Sequence, residues 1–280
     1  MATEDTATSR PPLSKDTTLC ISLSGRPSNI GTRFHNFLYD RLGLDFIYKA
    51  FSTDDIAAAI GGVRALGIRG CSVSMPFKQD VLALVDHVEP SARAIHAVNT
   101  VVNDRGVLTA SNTDYLAVQR LIDEHGLDPA QTVLVNGSGG MAAAVGAAFR
   151  DKGFRHGTVI ARNPQTGPDL ADRLGYHWRP HLGGATGEII VNVTPIGMAG
   201  GPEARDRAFP DETIAAADAV FDVVALPSET PLIVAARAAG KAVITGAEVI
   251  ALQAAEQFER YTGVRPPPEL VAEASAVSRA

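Results

Sequence analysis

Residues Val133-Leu134-Val135-Asn136-Gly137-Ser138-Gly139-Gly140-Met141-Ala142 run from an apolar strand through a glycine turn into an alanine-rich helix, and few folds accept such a turn. Its spacing is GxGxxA. Gly137 permits the tight turn, Gly139 lets backbone amides approach a pyrophosphate, and Ala142 takes the third position, where helix and strand pack closely. Ser138, Gly140 and Met141 complete the loop, and the unpaired N–H groups of the helix start favour an anion. The spacing alone is weak. The apolar strand before it, the helix after it and the next apolar run, Thr158 to Ala161, supply the βαβ context that a dinucleotide site requires.

That second strand ends Ile160-Ala161-Arg162-Asn163. A site for NAD would place an acidic residue there to hold the ribose 2′-hydroxyl, whereas Arg162 suits a 2′-phosphate, so NADP is the expected cofactor. No second basic residue follows in the loop from Pro164 to Pro168, so discrimination between the two is expected to be loose.

The rest of the chain repeats the alternation. Strand-like runs at Leu19 to Leu23, Phe46 to Phe51 and Cys71 to Ser74 alternate with helix-like runs at Arg33 to Leu42, Thr53 to Leu66 and Gln79 to Val88. Further on, Thr132 to Val135, Thr158 to Ala161, Ile189 to Val193, Ala219 to Val224 and Ala242 to Ile244 are continuous apolar runs, as in strands covered on both faces. The expected α/β architecture has two domains. One is an N-terminal, mostly parallel α/β substrate domain, residues 16–113 with 246–280; the other is a Rossmann-type doubly wound NADP-binding domain, residues 114–245. Residues 1–15 have no periodic apolar face and read as a disordered lead-in.

Composition excludes several partners. The 280 residues are 45% apolar and 20% charged with a net charge of −6, and no basic run could neutralise a track of phosphates, so nucleic acid is not expected. No apolar stretch is long enough to span a bilayer, and Glu4 and Asp5 sit where a signal peptide needs an apolar core; a cytoplasmic protein is expected. Cys20 and Cys71 each lie in an apolar run and read as buried thiols, and no metal site is expected. The partner is a small molecule, and the chain is read as a monomer or homodimer.

Chemistry concentrates in two segments. In Ser74-Met75-Pro76-Phe77-Lys78 a lysine follows a strand at the expected start of a helix, whose electropositive end disfavours an ammonium and suits a lysine that exchanges protons. In Ala97-Val98-Asn99-Thr100 and, beyond a hairpin through Asn103 and Gly106, Asn112-Thr113-Asp114, polar groups fall at strand-to-helix junctions, where open α/β sheets gather ligands. On spacing alone Asp114 could equally be a helix N-cap.

Taken together, Val73 to Lys78, Ala97 to Thr100, Asn112 to Asp114, Gly137 to Ala142, Asn192-Val193-Thr194 with Gly197-Met198, Thr230-Pro231-Leu232, and Gly246 ahead of Gln253 resemble the shikimate dehydrogenases in order and spacing. The resemblance implies that Lys78 and Asp114 form an acid–base pair and that Asn99 and Gln253 bind ring hydroxyls, with Ser74 where the family usually has threonine. It places Thr194, Val223 and Gly246 at the cofactor, and the active-site cleft between the two domains. The implied reaction interconverts shikimate and 3-dehydroshikimate.

The chain also departs from the family. The usual Ser-x-Ser pair for the substrate carboxylate is missing from Gly25 to Asn36, where Ser28, Thr32 and Arg33 remain as anion-holding candidates. Ala225 stands two residues before Pro227, where a tyrosine is usual, and Ala161-Arg162-Asn163 replaces Asn-Arg-Thr. The resemblance is therefore to a divergent paralogue, with weak shikimate turnover or a relative such as quinate or an aminoshikimate as substrate. A folate dehydrogenase leaves the Asn-Thr-Asp segment and the late glutamine without a role. A module that senses NADP or a metabolite without turnover leaves Lys78 and Asp114 without one.

Overall fold

The computed structural model describes residues 9–279. Within the stretch expected as a lead-in, residues 1–8 lie outside the described residues, while Arg10 is held by Asp40 at 2.9 Å and donates to Asn36 Oδ1 at 2.9 Å.

The elements in chain order are β1 (Thr18–Ser24), α1 (Ile30–Arg41), β2 (Phe46–Ser52), α2 (Ile56–Ala65), β3 (Gly70–Val73), a 3₁₀ turn (Asp80–Ala83), β4 (His87–Val88), α3 (Pro90–Arg93), β5 (Thr100–Asp104) and β6 (Val107–Ser111). Then come α4 (Thr113–Glu124), β7 (Val133–Asn136), α5 (Gly140–Asp151), β8 (Gly157–Ile160), α6 (Thr166–Leu174), β9 (His177–Arg179), β10 (Ile189–Asn192), α7 (Asp211–Ala216) and β11 (Ala219–Asp222). The chain closes with α8 (Pro231–Ala238), β12 (Ala242–Thr245), α9 (Gly246–Thr262) and α10 (Pro268–Arg279). It divides into two units, one running to Thr113 and resuming at Ala251, the other Asp114–Ile250.

The first unit holds a six-stranded sheet in the order β2-β1-β3-β5-β6-β4. β2, β1 and β3 are parallel, with Cys20 opposite both Tyr48 and Gly70. The sheet turns antiparallel at β5 and β6, because Arg105 and Gly106 both take positive φ in a two-residue hairpin and Asn103 Oδ1 accepts from the Gly106 amide at 2.8 Å. Strand alternation sorts β1 between two cores. Leu19, Ile21 and Leu23 pack with Ile56, Ile60 and Val63 of α2, while Cys20 faces Phe34, Leu38, Phe258 and Tyr261 from α1 and α9. Both cysteines are fully buried, and burial pushes the Cys20 thiol up to about 12.

Here the sequence expectation needs one correction. Gln79 to Val88 is not a helix: a single 3₁₀ turn is followed by β4, which pairs with β6 through Val88 and Ala110. The Leu108 amide donates to Asp86 Oδ2 at 2.7 Å, and the Asp86 amide to the Leu108 carbonyl at 3.0 Å, so ladder bonds claim the backbone that a helix would have used.

The second unit holds a wholly parallel sheet in the order β12-β11-β10-β7-β8-β9, with α5, α6 and α8 among its connections. Strand order reverses between β7 and β10, the switch point at which doubly wound sheets bind ligands. Helix starts are chemically fixed. Thr230 Oγ1 accepts from Ile233 N at 3.2 Å, with Pro231 in the first turn of α8. At α9, Glu248 Oε2 accepts from both Thr245 N and Oγ1 at 2.7 Å, in the manner of a capping box. Among the described residues, no helix is long and apolar enough to cross a membrane.

Candidate active site

In the first unit the polar groups gather at the ends of β1, β3 and β5. The Ser74 amide donates to Leu23 O at 2.9 Å, and the Gly25 amide to Met75 O at 3.1 Å, which ties together the loops that leave β1 and β3. Lys78 is half-buried, and its carbonyl accepts from Val98 N at 2.6 Å, beside Asn99. Because only a 3₁₀ turn follows Lys78, the helix-terminus argument for that lysine has no α-helix behind it. Asp114 sits half-buried in the first turn of α4, one residue inside Thr113, and is therefore not an N-cap.

Asn99 is 3% exposed, and its side chain is a hub. Oδ1 accepts from Thr113 N at 2.8 Å and from Thr100 Oγ1 at 2.8 Å, and Nδ2 donates to Gln253 Oε1 at 3.4 Å. The Thr113 hydroxyl lies 3.2 Å from Asn99 Oδ1 and 3.4 Å from Gln253 Oε1, and its one proton serves one of them at a time. The sequence reading missed Gln257, one helical turn beyond Gln253 on α9. It is buried and donates to Thr100 Oγ1 at 3.0 Å and Asn99 O at 3.3 Å. The i, i+4 pair of glutamines on an apolar helix face was the available signal.

Gln257 also lies beside His35, whose ring stacks on Tyr48 at 4.4 Å and touches Phe258 and Tyr261. Burial drives the imidazole down to about 3; the neighbouring amide opposes this only weakly, and neither ring nitrogen reaches a partner with hydrogen-bond geometry. The carboxylate candidates are less gathered. Ser28 is exposed ahead of α1, whereas the Thr32 hydroxyl is buried without a hydrogen-bond partner.

In the second unit a cleft of about 520 Å³ opens at the switch point. Its walls include Gly137, Ser138 and Gly139 after β7, Arg162 and Asn163 after β8, His181 and Leu182 after β9, and Thr194 and Glu203 after β10. Gly137 has φ of 127°, and a Cβ there would stand 2.9 Å from Val193 Cγ2, so only glycine lets the turn pass the end of β10. Gly140, Met141, Ala142, Val223 and Gly246 do not line this cleft. Ala142 is fully buried at the start of α5, and a Cβ on Gly246 would collide with the Val223 carbonyl.

Thr194 is set by a buried network that the sequence reading did not assemble. Asn192 Oδ1 accepts from Thr194 N at 3.1 Å and Oγ1 at 2.6 Å, while its Nδ2 donates to Asp222 Oδ1 at 3.0 Å. Asp222 also accepts from Val224 N at 3.1 Å and Thr230 Oγ1 at 2.6 Å. Burial raises its carboxyl above the usual range despite these three bonds.

Comparison with known proteins agrees with this geometry. A model of the shikimate dehydrogenase substrate binding domain matches residues 29–101. A shikimate dehydrogenase-like protein of Haemophilus influenzae is 57% identical over 267 residues, covering 95% of this chain and 98% of that protein. A shikimate dehydrogenase (NADP(+)) of Moorella thermoacetica is 32% identical over 270 residues, covering 90% and 91%. The solved structure of shikimate 5-dehydrogenase from Thermus thermophilus in complex with NADP(H) and shikimate aligns with a TM-score of 0.82 at 30% identity, covering 93% of this chain and 99% of that one. With a βαβ glycine cradle, an Asn99–Gln253 hydrogen bond and these relatives, the chain belongs to the shikimate dehydrogenase family.

Proposed function

We propose that the protein is an NADP-dependent oxidoreductase that interconverts shikimate and 3-dehydroshikimate, with Lys78 and Asp114 as its acid–base pair. The observation that carries the reading is the polar cluster around Asn99, in which side chains from β5, α4 and α9 converge on one buried amide. The cofactor fits the residues present. Gly137 makes a turn that a Cβ would block against Val193, and Arg162 follows β8 between the uncharged Ala161 and Asn163.

Bound NADP would supply the hydride acceptor for the carbinol carbon, and its reduced form the hydride donor. As the carbonyl forms, the hydroxyl proton passes to Lys78 Nζ, and in the reverse direction the Lys78 ammonium gives it back to the developing alkoxide. The Asp114 carboxylate offsets the charge that the lysine gains. Gln253 accepts through Oε1 inside the cluster, which leaves its NH2 group to donate to a ring hydroxyl. Ser74 and Asn99 hold further hydroxyls, and the exposed Ser28 takes the carboxylate, since the Thr32 hydroxyl is buried away from the surface. Domain assignments follow: residues 16–113 with 246–280 bind the substrate, and residues 114–245 bind NADP.

The test is absorbance of reduced nicotinamide with NADP against shikimate, quinate and related hydroxy acids. Reduction with shikimate is expected. Reduction with quinate alone would move the substrate within the family, and binding of NADP without any turnover would favour a sensing module.

A further inference from the structure

The end of β9 faces the cofactor cleft with a residue that no sequence motif singled out. β8 and β9 are parallel, with Thr158 opposite His177, Val159 opposite Trp178 and Ile160 opposite Arg179. The pairing continues one step further, since the Ala161 amide donates to Arg179 O at 3.0 Å, and Trp178 Nε1 donates to Ala161 O at 3.1 Å and pins the two strand ends together. Arg162 and His181 each follow two residues past the last register pair. Both are exposed, and both line the cleft that Gly137, Ser138 and Gly139 close.

Part of the hydrogen-bonding capacity of that wall is engaged within the protein. Asn163 Oδ1 accepts from the amides of Gln165 at 2.9 Å and Thr166 at 3.0 Å, and the hydroxyls of Ser138 and Thr166 pair at 2.7 Å. Among the residues lining the cleft, Arg162 and His181 alone can carry positive charge, and Glu203 is the one carboxylate. A single exposed guanidinium holds a phosphate in competition with water and salt; an imidazole N–H from the segment that follows β9 adds a second donor on the same wall.

We propose that His181 is the second 2′-phosphate contact of this protein and sets, together with Arg162, its preference for NADP over NAD. The inference rests on the NADP reading given above and names the residue that makes the site selective. In this assignment the loop from Pro164 to Pro168 needs no second cation, because the second donor comes from the segment that follows β9.

Calorimetric titration with adenosine 2′,5′-bisphosphate and adenosine 5′-monophosphate, which differ only in the 2′-phosphate, isolates the contact without any turnover. His181→Ala is expected to weaken the bisphosphate about tenfold, the size of one charge-assisted hydrogen bond, and to leave the monophosphate unchanged. His181→Lys is expected to restore the bisphosphate. A wild type that prefers the bisphosphate while His181→Ala keeps that preference overturns the role of His181 and leaves the NADP reading standing. Equal loss for both ligands in His181→Ala also overturns it, because the side chain then acts on the shared nucleoside. A wild type that binds the two ligands equally overturns the NADP reading and this inference with it.

Discussion

At the scale of single residues, the chemistry depends on side chains whose other bonds are already made. Asn99 is buried and committed to Thr100 and Thr113, so its amide cannot rotate to follow a ligand; it presents one fixed face. Gln253 is half-buried and bonded only through its oxygen at 3.4 Å, which leaves the nitrogen as the adaptable donor. Gln253→Ala is therefore expected to raise KM for shikimate about tenfold or more while KM for NADP is unchanged, since one lost hydrogen bond to a substrate hydroxyl costs roughly 1–2 kcal/mol. Steady-state kinetics with each substrate varied in turn checks this, and an unchanged KM for shikimate would place the glutamine outside the substrate's reach.

At the scale of elements, the sequence disclosed most where one physical signal dominates. Buried parallel strands read as unbroken apolar runs, and β10 and β11 are buried at every position. The glycine turn declared its own geometry, down to the φ of 127° at Gly137. The misread stretch was Gln79 to Val88, where local apolar spacing competes with ladder bonds to β6 that lie far away in sequence. Gln257, His181 and the Asn192–Asp222–Thr230 network were invisible for the same reason: each acquires its meaning from a partner on another element.

His35 on α1 shows what such burial does to stability. Its pKa is about 3 when folded, below the ordinary histidine value of 6.5, so protonation favours the unfolded chain. The stability of neutral His35 is fully present above pH 6.5 and is lost as pH falls toward 3, a decline on the order of a few kcal/mol. His35→Phe keeps the aromatic stack with Tyr48 and Phe258 and removes that titration. Urea unfolding midpoints between pH 7 and pH 4 should fall less steeply in His35→Phe than in wild type; parallel profiles would show that the imidazole does not stay neutral in the fold.

At the scale of the whole molecule, two sheets of different construction carry different groups. The mixed sheet of the first unit carries the Asn99 cluster, and the parallel sheet of the second carries the glycine cradle. A ligand that binds only the folded chain raises its stability by mass action, about 2.7 kcal/mol at a hundred times Kd. NADP is expected to raise the thermal midpoint clearly more than NAD at equal concentration, and Arg162→Ala to remove most of that difference. Scanning fluorimetry reads it directly, and equal shifts in the wild type would contradict a 2′-phosphate site at β8.

The most direct test of the central claim places wild type beside Lys78→Ala, following NADPH formation from shikimate while calorimetry follows shikimate binding. The account predicts turnover by the wild type and a loss of about 10²-fold or more in kcat in the variant, with binding retained, which is the scale of a lost acid–base group. Turnover undiminished in Lys78→Ala would contradict it.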